Sequence, residues 1–134
     1  AYSLIAVCWA AAPLLKNPAS VVTMSYFGAE RAIPNYNVMG VAKAALEANV
    51  RYLARDMGKN GVRVNAISAG ALKTLAVTGI QGHGELLAMS KARAVDGKDV
   101  TIEEVGGTAT FLMSDLSTGV TGDVIYVDKG VHLI

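Results

Sequence analysis

With 134 residues, 52% hydrophobic and 17% charged, the chain fits a single domain at most and is too apolar to be disordered. Its net charge of +1 comes with no run of Lys or Arg, which excludes the basic stripe of a nucleic-acid binder. A single cysteine, Cys8, rules out an internal disulfide and reads as a small buried hydrophobe, and no His/Cys cluster has the spacing of a metal site.

Residues 1–15 carry no charged side chain and are mostly apolar. The stretch is shorter than the roughly 20 residues that span a bilayer. It also lacks the basic flank of a signal peptide. A buried helix over 2–15, stopped by Lys16-Asn17-Pro18, is therefore expected, with no membrane contact and a cytoplasmic location. The first residue is not Met, so a processed or truncated product is expected.

Residues 20–26 (SVVTMSY) are short and β-branched and predict a buried strand. Residues 28–37 form a loop with Pro34 and two asparagines. A long helix over 38–57 follows, closed by Gly58 and the turn Lys59-Asn60-Gly61. Residues 62–68 (VRVNAIS) predict a second strand, with a turn at Ala69-Gly70-Ala71. Residues 74–93 have helical character broken by Gly79, Gly82 and Gly84. Thr101-x-x-Glu104 is a capping box that opens a helix to about Ser114, and residues 123–128 predict a third strand.

Strands separated by long helices imply crossovers and a parallel sheet. Such sheets bind ligands beyond the C-terminal ends of their strands, and the loops after Ser25, Ser68 and Asp128 all lie at that edge.

Tyr36 and Lys43 stand seven residues apart at the start of a helix. Seven steps of 100° return to nearly the same face about 10 Å further along. Tyr26 ends the preceding strand at the same sheet edge, so two phenols and an ammonium converge where a ligand is expected. A phenol aimed at a carbonyl oxygen stabilises the enolate formed when hydride adds to a conjugated C=C bond, and a nearby ammonium lowers the phenol pKa. A plainer reading competes. Lys43, Glu47, Arg51 and Arg55 recur every four residues, as on a solvated, ion-paired helix face.

The segment 25–43, SYFGAERAIPNYNVMGVAK, resembles the active-site segment of bacterial NADH-dependent enoyl-acyl-carrier-protein reductases. These are divergent members of the short-chain dehydrogenase/reductase superfamily. The tyrosine–x6–lysine spacing sets that family apart from ordinary members, where Met39 would be the tyrosine. The similarity continues through 46–52 (LEANVRY), 62–70 (VRVNAISAG), Val105-Gly106, 111–115 (FLMSD) and 120–124 (VTGDV).

The resemblance implies an α/β fold: the C-terminal part of a Rossmann-like doubly wound parallel sheet, about three strands with flanking helices. Residues 1–134 would be the C-terminal portion of one reductase domain, with the N-terminal half and its Gly-rich phosphate loop absent. It implies reduction of trans-2-enoyl thioesters in fatty-acid biosynthesis, with NADH as cofactor and an acyl-carrier-protein-linked substrate.

Residue by residue, the resemblance makes Tyr36 the enolate-stabilising hydroxyl. Lys43 would anchor the nicotinamide ribose, and Tyr26 would be a second donor lining the acyl pocket. Leu72 and Thr74 would contact the cofactor. Met39, Ala76 and Ile80 would wall the acyl site, although ordinary core packing explains these three equally well. The helices flanking residues 20–26 correspond to the family's dimer surface, so a homo-oligomer is expected. A non-catalytic remnant or oligomerisation module, or another short-chain reductase, are the alternatives.

The chain also departs from the family pattern. Ala71 replaces a usual Pro. Gln81, Gly84 and Glu85 stand where basic residues are frequent, and His83 replaces an aromatic residue. Residues 95–98 (VDGK) replace a Pro-hydrophobic-Arg-Arg segment, and Lys129 takes the place of a usual Gly.

Overall fold

The computed structural model describes residues 1–79 and 82–133, with Ala76 as backbone only. The chain order is α1 (Tyr2–Ala11), β1 (Ala19–Ser25), α2 (Asn37–Gly58) and β2 (Val62–Ala69). Then come α3 (Leu75–Thr78), α4 (His83–Arg93), α5 (Ile102–Met113) and β3 (Val124–Val127), with single 3-10 turns at Phe27–Ala29, Asp115–Ser117 and Val131–Leu133. The strands form one parallel sheet in the order β1-β2-β3. Ala19 to Ser25 run in register with Val62 to Ser68, and Ala66 to Ala69 with Val124 to Val127. The expected α/β architecture and its strands are present.

β2 is central and buried along nearly its whole length, as a parallel strand covered on both faces must be. On one side Val62, Val64 and Ala66 pack with Val50 and Ala54 of α2. On the other, Ile67 and Ala69 pack with Val105 and Leu112 of α5. Buried Asn65 ties β2 to the segment before β3: its amide donates to the Val120 carbonyl at 2.9 Å, and its side-chain oxygen accepts from the Asp123 N–H at 3.1 Å. The capping box at the start of α5 is formed, with Thr101 Oγ1 accepting from the Glu104 N–H and Glu104 Oε2 from the Thr101 N–H.

The expected buried N-terminal helix is corrected. α1 ends at Ala11, and only Cys8 is buried on it; Tyr2 is 84% exposed and Trp9 83%. The helix is apolar all round, so no polar face directs it to water. It packs against α2, with Leu4 and the Cys8 side turned inward, and no described element covers its outer face. The expected 74–93 helix is divided into α3 and α4. Gly82, at φ 77° in the left-handed region, lies just before α4.

Lys129 explains one departure from the family pattern. It adopts φ 56°, where glycine is unstrained and a side chain costs about 1–2 kcal/mol. Its ammonium reaches Glu104 and lies 3.5 Å from Asp96, contacts that accompany the strained backbone.

Candidate active site

The cleft opens beyond the C-terminal ends of β1 and β2, where the twist of a parallel sheet leaves a crevice. One wall comes from the segment joining β1 to α2. Tyr26 follows the last residue of β1, the chain turns through Phe27–Ala29, and Tyr36 caps the start of α2. The two rings meet edge to face, centroids 4.9 Å apart at 62°, a favoured aromatic geometry. Tyr36 is 8% exposed. Its position depends on two close backbone approaches. A methyl group on Gly28 would lie 2.5 Å from the Tyr36 ring, and one on Gly40 would lie 2.7 Å from the Gly28 carbonyl oxygen.

Lys43, two turns into α2, lies on the same side as Tyr36. Its ammonium donates to the Met24 carbonyl at 2.8 Å, at the end of β1. The cleft has a volume of about 470 Å³, and Tyr26, Tyr36, Met39, Lys43, Leu72 and Thr74 all line it. The structure therefore gathers six of the eight sequence-expected site residues around one space. Ile80 lies outside the described residues, as does the side chain of Ala76.

Val77 and Leu86 also line the cleft, from α3 and α4. Sequence reasoning missed them because isolated aliphatic residues in a glycine-broken stretch carry no distinguishing signal. The backbone of Thr74 is organised for a tight turn. Its N–H donates to the Leu72 carbonyl at 2.8 Å, and its own carbonyl accepts from the Val77 and Thr78 amides.

Burial raises the pKa of the Tyr36 phenol, and the neighbouring Tyr26 adds to the rise. Burial likewise raises Tyr26, partly opposed by the Arg93 guanidinium. The expectation that an ammonium lowers the phenol pKa is thus corrected: desolvation governs both tyrosines, while Lys43 gives one of its three N–H donors to the Met24 carbonyl. The phenols stay protonated at neutral pH, which is the form that donates a hydrogen bond. Burial lowers the pKa of Lys43, and the Glu47 carboxylate opposes this.

The proposed solvated stripe of Lys43, Glu47, Arg51 and Arg55 is only half solvated. Arg51 and Arg55 are exposed, whereas Glu47 is 7% exposed and accepts a hydrogen bond from Ser25 Oγ. The reason is geometric. Residues four apart drift by about 40° around a helix, so a row that starts against the sheet reaches water after two steps.

Among the described residues, no group of three or more His, Cys, Asp or Glu could hold a metal ion, and no helix is long and apolar enough to cross a membrane.

Comparison with known proteins shows the family. The family model described as Enoyl-(Acyl carrier protein) reductase matches residues 1–132. The NADH-dependent enoyl-[acyl-carrier-protein] reductase of Enterococcus faecalis is 58% identical over 98% of this chain, which covers 53% of that relative. The crystal structure of the Aquifex aeolicus NADH enzyme superposes with a TM-score of 0.96 at 51% identity, covering 99% of this chain and 52% of its own. The Anaplasma phagocytophilum reductase, solved in complex with NAD, gives a TM-score of 0.93 at 48% identity over 99% of this chain and 51% of its own. The chain thus spans about half the length of the relatives it matches. The match runs across nearly the whole sequence, and the chain belongs to the enoyl-(acyl carrier protein) reductase family.

Proposed function

We propose that this chain forms the substrate-facing half of an NADH-dependent enoyl-acyl-carrier-protein reductase, acting in fatty-acid synthesis in the cytoplasm. One observation carries the reading: a buried phenol, Tyr36, and a half-buried one, Tyr26, in edge contact share a cleft with a lysine held at the end of a parallel strand.

The cleft suits the nicotinamide-ribose end of the cofactor. It is large enough for a flat ring and a sugar, its walls are largely aliphatic and aromatic, and its polar groups include the Lys43 ammonium and the Thr74 hydroxyl. NADH, when bound, supplies the hydride that goes to the β-carbon of the enoyl thioester. The remaining work falls to this chain. Tyr36 donates a hydrogen bond to the thioester carbonyl oxygen, where negative charge develops. Tyr26, in contact with Tyr36, is placed to donate to the same oxygen and to border the acyl chain. Lys43 holds ribose hydroxyls, Leu72 borders the nicotinamide, and Thr74 contacts the cofactor near its pyrophosphate. Met39 contributes to the acyl wall, with Ala76 and Ile80 proposed to join it.

The test is NADH oxidation with a trans-2-enoyl thioester, measured on the chain completed by the N-terminal half of a relative. Turnover is expected, and Tyr36→Phe combined with Lys43→Ala should lower it by about 10²–10⁴-fold. Unchanged turnover in the double variant would remove both assigned roles. The chain without that half is expected to be inactive, because the pyrophosphate needs a Gly-rich loop after a strand.

A second reading, compatible with the first, concerns assembly. Tyr2, Val7 and Trp9 of α1 and Val41 and Tyr52 of α2 are exposed apolar side chains on neighbouring helices. Such a surface favours association with a second copy, as the expected homo-oligomer requires. Sedimentation at micromolar concentration should give a dimer or larger species; a well-folded monomer would reject this.

A further inference from the structure

Glu47 is the one strongly buried carboxylate of α2, and the reaction outlined above gives it no part. Removing a carboxylate from water costs several kcal/mol unless it is bonded or paired. Glu47 has its bond in Ser25 Oγ, at the last residue of β1. One turn earlier on the same side of α2, Lys43 bonds the carbonyl of Met24, the neighbouring residue of that strand. Two successive turns of α2 therefore grip two successive residues of β1, and Tyr26 is the next residue. The grip sits at the point where the strand delivers its tyrosine to the cleft.

We propose that Glu47 is a positioning residue of this site: its buried carboxylate fixes the end of β1 through Ser25 and stands one helical turn from Lys43 as its counter-charge. The groups around it are few. Ser68 of β2 is buried in register with Ser25, and Tyr26 and Tyr36 lie in the cleft beyond. On α2 itself the charged neighbours are Lys43 and the exposed Arg51. From α1, the inward ionisable group is the Cys8 thiol, which burial keeps protonated. Lys43 is thus the half-buried cation that Glu47 can act on, and the direction of its titration agrees: burial lowers it, Glu47 raises it.

The inference rests on the proposed role of Lys43, but its test reads titration rather than turnover, so either can fail without the other. The full chain is labelled with [6-13C]lysine, and the Lys43 resonance is identified by its loss in Lys43→Arg. Glu47→Gln keeps the size and can still accept from Ser25, while losing the charge. Its Lys43 midpoint should fall. Glu47→Asp, which keeps a carboxylate, should recover at least half of that shift. An unchanged midpoint in Glu47→Gln, or Glu47→Asp behaving like Glu47→Gln, would overturn the proposal.

A measurement on the unsubstituted chain needs no variant to fold. With [5-13C]glutamate added, the Glu47 carboxyl resonance should move as Lys43 titrates. Independent titration of the two would equally overturn it.

Discussion

The two walls of the cleft are built differently. The wall of Tyr26, Tyr36 and Lys43 stands on β1 and α2, and α2 buries Leu46, Glu47, Val50 and Ala54 against the sheet. The wall of Leu72, Thr74, Val77 and Leu86 stands on the segment after β2 and on α3 and α4, and α4 buries no residue at all. One wall inherits the rigidity of the core. The other is held by short turns and a few edge contacts. Groups that must meet a reacting atom to within fractions of an ångström belong on the first, and groups that merely enclose an apolar chain tolerate the second.

Substitutions can break or sharpen this contrast. The largest effect on stability is expected from Leu46→Ala, which empties a 6%-exposed site beneath the first wall and should cost about 2–5 kcal/mol in urea denaturation. A loss below about 1 kcal/mol would mean that α2 is not the anchor described.

Next comes Gly28→Ala. Its new methyl would enter the Tyr36 ring, so the ring or the turn must move, at a cost of about 1–3 kcal/mol. The aromatic ring-current shifts of the Tyr26–Tyr36 pair in the NMR spectrum should change with it. Unchanged shifts would show that the pair does not depend on that close approach.

The smallest effect is expected on the second wall. Leu75→Ser, at a 92%-exposed position of α3, should stay within about 0.5 kcal/mol of the unsubstituted chain. A large loss there would show that the wall is anchored after all.

The same contrast explains how much of the molecule was legible in its sequence. The anchored parts carry strong signals. Residues 62–68 read as a strand, and they became β2, buried along nearly its whole length. Thr101 and Glu104 satisfy each other by local geometry alone, so their spacing was sufficient. Tyr36 and Lys43 share a face because the helical period dictates it. The weaker wall was read only as glycine-broken helix, since nothing local says where α3 stops or which of its aliphatic residues turns toward the cleft.

Sequence by itself determined the order of the elements, the parallel sheet and the meeting of Tyr26, Tyr36 and Lys43 at one edge. Those features follow from hydrophobic period, helical repeat and an extended family match. Tertiary structure decided which charges meet water. Glu47 had the spacing of a solvated stripe and is buried on Ser25, whereas the apolar α1 looked like core and is exposed. Burial depends on what packs opposite a residue, and a one-dimensional pattern does not name the element that will cover it.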